Sequence, residues 1–222
     1  MLLAIDTSTR VVGISLYDGH QVAGEYTWNS HDYHTVELAP AIAEILHRAK
    51  ITASELEVLA VALGPGSFTG LRIGLALAKG MALAGHMPLI GIPTLDALAA
   101  AQPALDLPMA AVLRAGRGRL AVGWYHCKAG KWRSTDELEV MTAESLGNSI
   151  LKPTLVVGEL TEAERLYLKR NNKMITLVSP AQSLRRPSFL AELAWRRWQA
   201  GEVDDPATLS PFYLQQNETI PD

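Results

Sequence analysis

The sequence predicts an α/β protein built from two halves of the same βββαβα-type order, residues 1–104 and 105–222. Three observations point there. Three strand-like runs followed by alternating helical and strand patterns occur once before Gln102-Pro103 and once after it. A glycine-rich turn, Gly64-Pro65-Gly66-Ser67-Phe68-Thr69-Gly70, joins an apolar strand to a long apolar helix. The chain has 222 residues, 48% of them apolar and 19% charged, enough to bury a proper core in one large domain or two small ones.

The first half reads as strands Leu2–Asp6 and Val11–Tyr17, an Asp18-Gly19 hairpin turn, and a strand Gln21–Trp28. A helix over His34–Lys50 places Leu38, Ile42, Ile45 and Ala49 on one face. Thr52 and Glu55 have capping-box spacing for a short turn. Strand Val58–Leu63, the glycine turn, a helix to Gly85, strand Leu89–Ile92 and helix Thr94–Ala101 complete the half. The second half follows with strands Met109–Ala115, Leu120–Cys127 and Lys131–Val140, and a turn at Ala129-Gly130. Helix Thr142–Ser149, strand Thr154–Val157, helix Thr161–Arg170, strand Met174–Val178 and helix Pro187–Ala200 end it. This order, occurring twice, is the duplicated layout of actin-like and sugar-kinase-like proteins (the ASKHA, RNase H-like class).

The glycine turn matches none of the common catalytic loops. A P-loop ends in Gly-Lys-Ser/Thr, which is absent. A dinucleotide fingerprint needs glycine where Thr69 stands. A nucleophile elbow needs Ser midway between two glycines, where Phe68 stands. Strand, glycine turn and helix still form an arrangement that aims backbone N–H groups at an anion. In the actin-like layout an Asp after the first strand faces a nucleotide phosphate through Mg²⁺, and Asp6-Thr7-Ser8-Thr9 sits there. Asp6, Thr7, Gly64, Gly66 and Ser67 are therefore the candidate nucleotide-facing set; the alternative is that Asp6 and its neighbours only cap a tight turn. The second half has no Gly-Gly pair with which to bring backbone close to an adenosine, so no cofactor held tightly by this chain alone is expected.

Composition narrows the rest. Residues 1–105 carry 5 Lys/Arg against 9 Asp/Glu, and the remainder 15 against 14, for a net charge of −3. Neither half binds nucleic acid strongly on that balance, and a partner must supply most of the positive surface if RNA is involved. The single Cys127 precludes an internal disulfide and suits a reducing, cytoplasmic setting. Met1 to Ile5 is too short for an export signal, and no uncharged apolar run is long enough to span a membrane.

Leu3-Ala4-Ile5-Asp6-Thr7-Ser8-Thr9, His34-Thr35-x-x-Leu38-x-Pro40 and the run Gly64 to Gly74 resemble the TsaB family, also called YeaZ. Ala78-Lys79-Gly80-Met81-Ala82-Leu83-Ala84, Pro88 to Ile92 and the closing Pro211-x-Tyr213-Leu214 continue the likeness, with Gln215 where the family has Arg. The resemblance implies a non-catalytic partner of TsaD, the metal-bearing paralogue that transfers a threonylcarbamoyl group to the adenosine beside a tRNA anticodon. It further implies a TsaE-like ATPase in the complex, tRNA reached only through the complex, a homodimer when free, and ATP or ADP at the surface shared with TsaD. The wider family was once filed as M22 glycoproteases. The active paralogue holds metal with His-x-x-x-His on the first helix; here His34 is followed by Leu38, and neither His31 nor His47 restores the pair, so no metal and no catalytic residue is expected. A stand-alone ATPase or sugar kinase and an M22-type metallopeptidase are the rival readings. One departure from the family stands out: where relatives read Asp-Ala-Arg-x-x-Glu-Val-Tyr, this chain has Arg114-Ala115-Gly116-Arg117-Gly118-Arg119-Leu120-Ala121, either a phosphate-facing basic turn or a solvated one.

Spacing suggests a contact surface. Gly70, Gly74, Ala78 and Ala82 recur every fourth residue, a stripe nearly bare of side chains along one helix face. It allows a close approach, either by the protein's own sheet or by a partner helix. The partner reading is favoured, and Leu38, Ile42, Ile45, Gly70, Arg72, Gly74, Ala78 and Ala82 are the expected interface, shared by a homodimer and by TsaD. Trp195 and Trp198 share a face of the last helix and are expected to be buried there rather than to stack on bases.

Overall fold

The computed structural model describes residues 1–30 and 34–212 and, among these, every side chain but those of His34 and Asp136. His31, Tyr213, Leu214 and Gln215 lie outside the described residues.

The first half contains β1 (Leu2–Asp6), β2 (Val11–Tyr17), β3 (Val22–Asn29), α1 (His34–Ala49), β4 (Val58–Ala62), α2 (Phe68–Gly85), β5 (Leu89–Ile92) and α3 (Thr94–Ala100). The second contains β6 (Met109–Arg114), β7 (Leu120–Lys128), β8 (Lys131–Met141), α4 (Ala143–Ser149), β9 (Thr154–Gly158), α5 (Glu162–Asn171), β10 (Ile175–Leu177) and α6 (Pro187–Gln199). Every expected element is present with its ends within one residue of the reading above. Some of the one-residue differences are caps. Thr142 and Thr161 precede their helices in extended conformation and accept hydrogen bonds from the backbone N–H groups of Ser145 and Glu164.

The two sheets have one strand order. The first runs β3-β2-β1-β4-β5 and the second β8-β7-β6-β9-β10. In each, the first three strands are antiparallel and the last two join in parallel. β1, β4 and β9 are buried along their whole length, which is why they read as unbroken apolar runs without alternation.

The helices tie the halves together. α1 and α2 cover one face of the first sheet, where Leu38, Ile42 and Ile45 meet Leu3, Ile5, Ile14 and Leu16. Its other face is covered by α6 from the far end of the chain, through Leu190, Ala191 and Ala194 on Leu2, Ala4 and Ala60. Conversely, α3 packs Leu95, Leu98 and Ala99 on the second sheet at Met109, Ala111 and Leu113. Each half thus lends its last helix to the other half's sheet. Trp195 and Trp198 pack partly buried against the first sheet, edge to face with ring centroids 4.9 Å apart. Their area goes to the core, as their spacing suggested.

The bare stripe faces inward. Gly70, Gly74, Ala78 and Ala82 are buried, and a Cβ on Gly74 would lie 2.2 Å from the Thr7 hydroxyl oxygen. One on Gly70 would lie 2.3 Å from the Thr7 carbonyl oxygen. The small residues therefore admit the β1–β2 turn of the same chain. The expected interface is corrected accordingly: Leu38, Ile42, Ile45, Gly70, Gly74, Ala78 and Ala82 are enclosed by this protein's own sheet and turn. Only Arg72 of that set is exposed, with its guanidinium 3.8 Å over the Phe68 ring. Periodicity identified the residues that share a face but not the direction of that face.

Candidate functional site

The ends of β1, β4, β6 and β9 meet at a cleft of about 1460 Å³ between the halves, lined among others by Thr9, Arg10, Ser67, Arg114, Glu159 and Arg185. The glycine turn forms one wall. Gly64 has φ +107°, a conformation suited to glycine, and its N–H donates to Thr94 Oγ1 at 3.0 Å. Thr94 Oγ1 also lies 2.7 Å from Ser8 Oγ. Gly66 comes so near the Ser8 carbonyl oxygen that a Cβ would sit at 2.2 Å. Ser67 caps α2 by accepting the Gly70 N–H at 3.3 Å. Thr7 Oγ1 donates to the Gly70 carbonyl at 2.7 Å.

At the floor lies a buried ionic cluster that no motif announced. Arg185, in the segment leading into α6, is 3% exposed. Its Nε donates to Asp6 Oδ2 at 2.9 Å, its Nη2 to Thr9 Oγ1 at 2.8 Å and to the Val11 carbonyl at 2.9 Å, and its Nη1 to Glu159 Oε1. Thr9 Oγ1 in turn donates to Glu159 Oε1 at 2.7 Å. Asp6 Oδ1 accepts the Ser8 N–H at 2.9 Å. Burial alone would push the guanidinium's pKa down, but the charges of Asp6 and Glu159 outweigh it and raise it, so Arg185 stays protonated. Asp6 and Thr9 come from the first half and Glu159 from the second, so one side chain joins both.

This cluster bears on the candidate nucleotide-facing set. Both carboxylate oxygens of Asp6 are engaged, one by a backbone N–H and one by a cation. A Mg²⁺ ion there would meet the Arg185 charge at hydrogen-bonding distance from the same carboxylate, so these residues do not fit the metal that the fold suggests. Thr7 and Gly64 are likewise buried in internal bonds, and only Gly66 and Ser67 of the set line the cleft. The Asp6, Thr7 and Gly64 assignments are corrected to a turn-locking role; the capping alternative holds. Among the described residues no group of three or more His, Cys, Asp or Glu could hold a metal.

At the mouth, the turn from Arg114 to Arg119 carries Gly116, Arg117 and Gly118 in left-handed conformation. Arg114 Nη1 lies 3.5 Å from Glu164 Oε2 of α5, and the buried Arg119 Nε has no hydrogen-bond partner among the described residues. Beyond Arg185, Glu25 of β3 receives the Ser188 N–H at 3.1 Å and the Arg186 guanidinium at 2.6 Å, anchoring the start of α6. Burial raises the Glu25 pKa, but these donors more than reverse it, and it sits below the usual glutamate value. Sequence reasoning missed Arg185, Glu159, Thr94 and Glu25, because their partners lie far away along the chain and no local pattern marks them.

The outward faces of α1 and α2 are a separate feature. Val36 is 66% exposed and Leu83 79% exposed; Ala39, Pro40, Ala43, Ala76 and Gly80 are exposed beside them. A Cβ on Gly80 would meet nothing within 4 Å.

Comparison with known proteins places this geometry. The family described as TsaD: tRNA N6-adenosine threonylcarbamoyltransferase matches residues 22–191. The chain is 32% identical over 223 residues to the tRNA threonylcarbamoyladenosine biosynthesis protein TsaB of Bacillus subtilis, across 98% of this chain and 95% of that one. Among solved structures it resembles YeaZ from Pseudomonas aeruginosa, with TM-score 0.77 and 24% identity over 96% of this chain and 99% of that one. It also resembles component A of the (R)-2-hydroxyglutaryl-CoA dehydratase of Acidaminococcus fermentans, with TM-score 0.51 and 11% identity over 88% and 98% of the two chains. The structural likenesses establish the duplicated actin-like fold, and the full-length identity to a curated relative establishes that this chain belongs to the TsaB (YeaZ) family.

Proposed function

We propose that this chain is a non-catalytic subunit of a cytoplasmic tRNA-modifying complex. It docks on a TsaD-like catalytic paralogue and supports transfer of a threonylcarbamoyl group to the adenosine beside the tRNA anticodon. The observation that carries this reading is the contrast between its two surfaces. Asp6, beneath the cleft, is bound by Arg185, while α1 and α2 present an apolar, small-residue face that no described residue covers. Large exposed apolar patches on a monomer mark partner sites. No helix of the described residues is long and apolar enough to cross a membrane, so a lipid span does not account for that face.

The docking residues in this reading are Val36, Ala43, Ala76, Gly80 and Leu83, on the opposite sides of α1 and α2 from the buried stripe. Two copies of this chain pair through the same face when the paralogue is absent, and the homodimer and heterodimer compete for it. ATP or ADP is taken at the surface shared with the paralogue, a TsaE-like ATPase joins the assembly, and tRNA is reached through the complex. Light-scattering mass after size exclusion tests this. The parent chain alone should run as a dimer and, mixed with its paralogue, as a one-to-one complex; Leu83→Glu should abolish both. A parent chain that forms no complex with the paralogue, even with ATP and the ATPase present, overturns the reading.

A further inference from the structure

The hairpin of β7 and β8 carries a cationic face that the docking role does not use. Its register pairs His126 with Arg133 and Lys128 with Lys131. Directly opposed residues of an antiparallel ladder share a face, and so do residues two apart along a strand. Tyr125 is buried and Cys127 and Trp132 are half-buried on the other face, toward the core under α3. His126, Lys128, Lys131 and Arg133 are therefore aligned together, and all four are exposed. The turn between them, Ala129-Gly130 with both φ positive, is the tight type that twists with its strands and holds the rows in place. None of the four makes an ion pair among the described residues, although Glu137 and Glu139 are on the same strand and Glu139 accepts from Trp124.

Like charges set directly opposite each other on a sheet are destabilising. Here a Lys–Lys pair flanks the tight turn, and Arg133, opposite His126, adds a third cation beyond it. With strand residues about 6.7 Å apart at alternate positions, the face is a short ladder of positive charge on a chain whose net charge is −3. A chain of that balance does not hold a polyanion by its overall field, so a local ladder is where contact would be made. We propose that this hairpin face binds the phosphodiester backbone of the RNA substrate, adding phosphate contacts to those the paralogue makes. The proposal rests on the reading above, which brings tRNA to the complex. Phosphate contacts of this kind position an RNA without reading its sequence.

The test uses the full chain in complex with its paralogue, with unmodified tRNA as the probe and binding measured against salt concentration. Replacing Lys128, Lys131 and Arg133 together by Ala should lower the slope of log affinity against log salt by about 2 to 3 and weaken binding roughly tenfold. The light-scattering mass of the complex should stay unchanged, and Lys128→Arg with Lys131→Arg should bind as the parent does. An affinity and slope untouched by the triple replacement overturn the proposal while leaving the docking role intact. So does a triple variant that loses binding to anionic vesicles or polyglutamate but not to tRNA. If no complex forms, the docking role fails instead, and the hairpin is judged on the chain alone at low salt by the same slope criterion.

Discussion

The two sheets share one strand order, yet their cleft-facing turns are opposites. After β1, the turn Asp6–Thr9 is buried, and its polar groups are spent on Arg185, Glu159, Gly70 and Thr94. After β6, the equivalent turn from Arg114 to Arg119 is mostly exposed and has three residues in left-handed conformation, and its Arg114 reaches Glu164 over a long 3.5 Å ion pair. Duplication fixes the frame in both halves, but the frame does not dictate whether a turn is a site or a fastener. Here the first turn fastens the halves and the second borders an open cleft. A buried charge network of that kind is rigid because each member would be costly to leave unpaired.

The strongest way to break the comparison is to remove the fastener. Arg185→Leu leaves the buried Asp6 and the half-buried Glu159 without their cation and should cost about 3–5 kcal/mol, a fall of about 6–20 °C in Tm for a domain of this size. A Tm within a degree of the parent would mean that the cluster fastens nothing. The next effect concerns the two sides of α2. Gly74→Ala forces a methyl against Thr7 and should lower stability by about 1–3 kcal/mol, whereas Gly80→Ala enters open space and should raise it by up to about 1 kcal/mol. Denaturant midpoints with unchanged m-values would show both signs.

A smaller effect sharpens how α6 is held to the first sheet. Because the Glu25 pKa is lowered on folding, its contribution is fully present above the ordinary glutamate value of 4.5 and is lost as pH falls through its folded value. Between about pH 5 and 3 the parent should therefore lose more stability than Glu25→Gln, and parallel curves for the two would remove Glu25 from the account. The smallest effect is expected in the open turn. Arg114→Ala should change stability by less than about 1 kcal/mol, since the pair is long and the Arg114 side chain is solvent-exposed.

These contrasts also mark what the sequence made legible. Apolar runs in β1, β4 and β9 and the Thr caps of α4 and α5 are local signals, and they located the elements to within a residue. The heptapeptide from Gly64 to Gly70 pointed at the right place, because its glycines are needed where Ser8 and Thr7 press against them. Arg185 was not legible: its contacts to Asp6 and Glu159 span 179 and 26 residues, and nothing in Leu184-Arg185-Arg186-Pro187 distinguishes one arginine from the next. The stripe on α2 was half legible. Small residues at four-residue spacing suit any close neighbour, and only the folded chain reveals that the neighbour is its own β1–β2 turn.

The central claim is that this chain acts through the outer face of α1 and α2 and not through chemistry in its own cleft. A reconstituted threonylcarbamoyl-transfer assay with the paralogue, comparing Leu83→Glu with the cleft-lining pair Ser67→Ala and Arg114→Ala, tests it most directly. The account predicts that Leu83→Glu abolishes tRNA modification while the cleft variant retains activity within about twofold, a difference below about 0.5 kcal/mol. A cleft variant that is dead while forming a complex of normal mass, with Leu83→Glu fully active, would contradict it.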